Sequence, residues 1–82
     1  MEELFLNLTE RELEVLQLVK TGMTNKEIAA VLHVSTHTIK AHLSSILYKT
    51  KCRNRITLAV YAQREFGDIS FAEFIDNMNK PE

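Results

Sequence analysis

The side chains with the most concentrated chemistry lie in one run, Ser35–Lys51, STHTIKAHLSSILYKTK. It offers hydroxyls, imidazoles and ammonium groups, and no acid. At about 100° per residue, Ile39, Leu43, Ile46 and Leu47 fall on one stripe of a helix. His37, Ala41, Ser44 and Tyr48 fall on the opposite stripe, with Lys40 and Lys51 along one flank and Lys49 along the other. Small residues near the N-terminal end let the helix backbone approach a surface, and long cations at the sides reach outward. That combination suits a polyanion with a groove. It fits the major groove of duplex DNA, where short polar contacts read base edges and lysines meet phosphates. A second anion-facing feature is Thr24-Asn25-Lys26, which opens another helix whose free amides and dipole favour a phosphate.

Other chemistries lack their parts. Ser44 and Ser45 are helix neighbours of His42, with no orienting acid on that face, so no nucleophile is activated there. There is no paired-carboxylate motif, nucleophile elbow or glycine-rich phosphate loop. His33 and His37 stand four apart with Cys52 beyond, which falls short of a ligand set with fixed geometry. The sequence therefore predicts no catalytic residue, no metal and no cofactor. His42 either donates to a phosphate or sits hydrogen-bonded at the edge of the core.

These side chains need helices to hold them, and the sequence marks helix starts clearly. Ser35 is an N-cap whose hydroxyl can accept from an orphan amide of the first turn. Thr9-Glu10-Arg11-Glu12 and Thr24-Asn25-Lys26-Glu27 are capping boxes, threonine at the cap and glutamate three residues on. The first helix runs to about Lys20, with Val15, Leu16, Val19 and the edge residue Leu18 as its core stripe. Leu13 falls off that stripe and is expected to be exposed. Gly22 supplies a left-handed stop. A short helix, Asn25–Leu32, buries Ile28, Ala29 and Leu32. It joins the long one through His33-Val34, with Val34 as a buried plug. Two helices so joined, the second longer and amphipathic, predict a helix-turn-helix. Asn54 caps a fourth helix, Arg55 to Phe66, with Leu58, Ala59 and Ala62 inward. Ile56, Val60 and Gln63 lie together on its other side. They form either a dimer seam or a cover over the edge of the core. After Gly67, the box Ser70–Glu73 and the spacing of Phe71, Phe74, Ile75 and Met78 predict a short fifth helix, Phe71–Met78, docking on the body. The fold expected is all-α, a four-helix bundle containing a helix-turn-helix plus that short C-terminal helix. It forms a single domain over 1–82, with a lead-in at 1–8, a core at 9–66 and an extension at 67–82.

Totals agree with this reading. The chain has 82 residues, 45% hydrophobic and 26% charged, enough for one modest core. No apolar run approaches the roughly 18 residues that a membrane span needs. The lone Cys52 cannot form an internal disulfide, which fits a cytoplasmic home. A net charge of −1 sits poorly with a polyanion ligand until it is divided along the chain. Residues 1–20 hold five acids and two bases, and residues 65–82 hold five acids and one base. Between them, residues 21–64 hold seven bases and one acid. A basic middle between acidic ends confines the attraction to one face.

The run Leu8–Tyr61 resembles the LuxR/GerE-type helix-turn-helix, the output domain of NarL/FixJ response regulators and LuxR-type regulators. The residues that carry the likeness are LTERELEVL at 8–16, G-x-TNKEIA at 22–29, VS-x-x-TIKAHLSSIL at 34–47, Lys49, and NR at 54–55. The resemblance implies a transcription-regulator domain of the bacterial cytoplasm, associated with the nucleoid, that dimerises on inverted-repeat DNA through its last helix. By matching position it implies that Lys40, Ala41 and Ser44 face bases. It likewise implies that Asn25, Lys26, Thr36, Thr38, His42, Lys49 and Arg55 touch phosphates or fix the helix. Thr24 and His37 join the backbone set, Thr24 as a cap and His37 from the outer stripe. The chain departs from the family at Thr50 and Lys51, where a leucine and a glycine are usual. Without that glycine, the recognition helix over 36–51 ends with a strained Lys51 or runs slightly longer.

Two function classes follow. The first is a sequence-specific, duplex-DNA-binding regulator, dimeric through the helix 55–66. A receiver domain, a sensor domain or RNA polymerase is its further partner. The alternative is a helix-turn-helix interaction module that binds another regulator or a polymerase subunit without reading DNA.

Overall fold

The computed structural model describes residues 7–67, and these form four helices: α1 Glu10–Lys20, α2 Asn25–Leu32, α3 Thr36–Thr50 and α4 Arg55–Phe66. No strand occurs among the described residues, and the class is all-α. The fifth helix expected at Phe71–Met78, and Phe5 of the lead-in, lie outside the described residues.

Each helix starts where the sequence places a cap. Thr9 and Thr24 close complete capping boxes, their hydroxyls accepting from the Glu12 and Glu27 amides at 3.1 and 3.2 Å. Ser35 Oγ accepts from the Thr38 amide at 3.1 Å, and Asn54 Oδ1 from the Thr57 amide at 2.8 Å. The ends are equally local. Gly22, at φ +91°, closes α1, with the Gly22 amide on the Val19 carbonyl and the Met23 amide on the Leu18 carbonyl. This is the paired pattern of a Schellman stop. His33, at φ 60°, repeats it after α2, where the Val34 amide reaches the Ala29 carbonyl at 3.0 Å. His33, Val34 and Ser35 thus make the tight turn between α2 and α3.

The core lies where α1, α3 and α4 meet, and α2 packs mainly on α3. Val15, Leu16, Ile28, Ile39, Ile46, Leu58 and Ala62 are buried at its centre, with Leu8 beneath the start of α1. Two expectations need correction. Leu13 is half-buried and packs against this cluster instead of standing exposed. The reason is that α1 packs against both α3 and α4, so more than one stripe of it is covered. The helix expected over 36–51 ends at Thr50, one residue before Lys51, and of the two endings expected it is the strained Lys51 that is found. Thr50 is buried, and its hydroxyl donates to the Ile46 carbonyl at 2.8 Å. Lys51 then takes the left-handed conformation at φ 60°, the role that glycine usually fills. Gln17 is fully buried on α1, and its side-chain amide has no hydrogen-bond partner among the described residues.

Candidate nucleic-acid interface

On α3, Lys40, Ala41, Ser44, Thr36 and His37 are all exposed, as the helical period requires once Ile39, Leu43 and Ile46 are buried. No acidic side chain occurs along α3. Tyr48 continues the outer stripe and is 86% exposed. Thr38 and His42 are half-buried on the flank, and the Thr38 hydroxyl lies 3.0 Å from Ser35 Oγ.

A second group forms at the start of α2. Thr24 and Lys26 are exposed and Asn25 is half-buried. Arg55, at the start of α4, donates to Asn25 Oδ1 and to the Met23 carbonyl. A guanidinium only donates, so the arginine selects the amide oxygen of Asn25 and leaves its NH2 to other partners. Arg55 therefore ties the beginnings of α2 and α4 together. It also sets a fixed positive charge beside the amides of the α2 N-terminus, whose dipole has the same sign.

Lys49 is tied to a buried carboxylate. Its ammonium donates to Glu12 Oε1 at 2.9 Å, and Ser45 Oγ donates to Glu12 Oε2 at 2.6 Å. The Thr9 amide adds a third bond, to Oε1 at 2.9 Å. Burial raises the pKa of this carboxyl, but the hydrogen bonds from Ser45, Lys49 and Thr9 and the charge of Lys49 outweigh it. The result is a pKa of about 2. Sequence reasoning used Glu12 only as a capping residue. The pairing with residues 33 and 37 positions away depends on how α1 crosses α3, which no local pattern encodes.

On α4, Ile56 is 76% and Val60 54% exposed, and Gln63 is exposed one turn on. Hollows flank Val60, one reaching Lys20 and Ala59 and the other Thr57 and Tyr61. No group of three or more potential metal ligands occurs among the described residues. No helix there is long and apolar enough to cross a membrane.

Residues 6–62 match the family described as bacterial regulatory proteins, luxR family. The chain belongs to the luxR family. It is a helix-turn-helix domain of the DNA-binding transcription-regulator class. Among its relatives is the response regulator protein VraR of Staphylococcus aureus, 43% identical over 60 residues. The VraR proteins of Staphylococcus saprophyticus and Staphylococcus epidermidis match at the same 43%. The match covers 73% of this chain and 29% of each relative, so the chain spans less than a third of the length of these response regulators.

Proposed function

We propose that this luxR-family domain binds duplex DNA sequence-specifically, with α3 in the major groove, in the bacterial cytoplasm and as the output of a longer response regulator. The observation that carries the reading is the exposed, acid-free outer face of α3, small at Ala41 and Ser44 and cationic at Lys40. Lys40, Ala41 and Ser44 face bases. Thr24, Asn25, Lys26, Thr36, His37, Thr38, His42 and Arg55 form the backbone set, at the starts of α2 and α4 and along the first turns of α3. Phosphate contacts of this kind fix register, and base contacts supply the discrimination. Lys49 stands apart because its ammonium is already paired with Glu12. Two copies join through Ile56, Val60 and Gln63 of α4 on an inverted repeat.

Fluorescence anisotropy of a labelled mixed-sequence duplex, titrated at low and at moderate salt, tests the reading. Wild-type binding should weaken as salt rises. Lys40→Glu should lower affinity at least about tenfold, because it puts an anion at the groove floor. Binding that ignores the substitution would mean that another face meets DNA. No binding at low salt would favour the interaction module.

A further inference from the structure

Glu12 pins α3 at two points one turn apart. Ser45 and Lys49 stand four residues apart on the same flank, and both donate to the one carboxylate of α1. The Glu12 side chain is 6% exposed and that of Lys49 31%, so the pair sits at the seam between the helices. Ser44 and Tyr48 each precede a pinned residue by one position, about 100° round the helix. A roll of α3 about its axis would break both pins and would turn Lys40, Ala41 and Ser44 by the same angle.

We propose that Lys49 is a positioning residue, in place of the phosphate contact that the family resemblance implies, and that with Glu12 it sets the roll of the recognition helix. This inference rests on the DNA-binding reading above. Lys49 and Glu12 act on DNA as a neutral unit. Drawing the ammonium away to a phosphate would leave a buried carboxylate without its charge partner, which costs more than an exposed phosphate contact returns. The ammonium therefore stays on Glu12 and releases no counterion from the duplex. The pair acts through the orientation of Lys40, Ala41 and Ser44.

The salt dependence of binding separates the two roles, because each neutralised phosphate adds about 0.9 to the slope of log K against log salt. The proteins are wild type, Glu12→Gln/Lys49→Met, Glu12→Gln and Lys49→Arg, with Lys26→Met as an exposed-cation reference. The probe is one duplex carrying a half-site that wild type selects from a random duplex pool, so that base contacts contribute to the affinity, followed by anisotropy. Far-UV circular dichroism and a thermal melt establish that each variant is folded at the assay temperature. The double variant should bind several-fold more weakly at every salt concentration with an unchanged slope. Lys26→Met should flatten the slope by about 0.9, and Glu12→Gln, which frees the Lys49 ammonium, should steepen it by about 0.9. Lys49→Arg keeps the ion pair and should restore wild-type affinity. Flattening by about one phosphate in the folded double variant would make Lys49 a phosphate contact and overturn the proposal. A double variant with wild-type affinity and slope would overturn it too, because the pair would then position nothing. Wild-type protein that shows no salt-dependent binding would instead remove the DNA-binding reading itself.

Discussion

The Glu12 carboxylate accepts from an amide, a hydroxyl and an ammonium, and this makes its ionisation part of the folding equilibrium. Its pKa falls from an ordinary 4.5 to about 2 in the folded chain. A carboxyl depressed by folding contributes stability that is fully present above its unfolded pKa and is lost as pH falls through the folded one. The window for this group therefore runs from 4.5 down to about 2. Linkage puts the loss on the order of 3 kcal/mol, since each tenfold change in proton affinity corresponds to about 1.4 kcal/mol. Urea unfolding followed by circular dichroism, at several pH values across the window, should show wild type losing that much more stability than Glu12→Gln. Parallel curves for the two proteins would mean that the carboxyl titrates in the folded chain as it does in the unfolded one. Arg55 makes a similar point without titrating: what looks like a free cation in sequence is tied to Asn25 and to the Met23 carbonyl.

The helices show which information is local and which is not. Thr9, Thr24, Ser35 and Asn54 could be read as caps because a cap and the amide it satisfies lie within three residues. The exposed stripe of α3 was legible for a related reason, since burying Ile39, Leu43 and Ile46 fixes where Ala41 and Ser44 point. Leu13 and Glu12 were not legible. Their burial depends on α1 being covered by two other helices, and helical periodicity describes one face at a time. Lys51 falls between these cases. Its departure from glycine was visible, but the two ways of ending the helix differ by a single residue, and burial of Thr50 decides for the shorter. A non-glycine residue in the left-handed region costs roughly 1–2 kcal/mol, partly offset by the chain entropy that glycine loses on folding. Lys51→Gly should therefore stabilise the domain by about 1 kcal/mol and raise its melting temperature by a few degrees. Thermal unfolding measures this directly. A lower melting temperature would mean that the lysine side chain makes contacts worth more than the backbone strain.

At the scale of the molecule, the proposed pairing of two copies rests on the outer side of α4. Ile56 and Val60 stand one turn apart at 76% and 54% exposure, with hollows on both sides of Val60. A ridge beside hollows can be self-complementary across a two-fold axis, which is what an isologous dimer needs. The ridge is small, however. Two aliphatic side chains fall far short of the roughly 800 Å² per partner that a stable interface buries. Dimerisation through α4 should therefore be weak in free solution. It should gain strength on a duplex with two inverted half-sites, where the first bound copy raises the local concentration of the second. Half-sites one helical turn apart, about 10 base pairs centre to centre, place two recognition helices on the same side of the DNA. On a half-site selected from a random duplex pool, wild type should bind the two-site duplex at least about tenfold more tightly than the one-site duplex. Val60→Asp should remove most of that advantage and leave one-site affinity within about twofold, because an anion would then face its own copy across the seam. Sedimentation at micromolar concentration should find both proteins monomeric without DNA. Should Val60→Asp keep the two-site advantage, the copies meet through another surface, and Ile56 and Val60 serve only to cover the edge of the core.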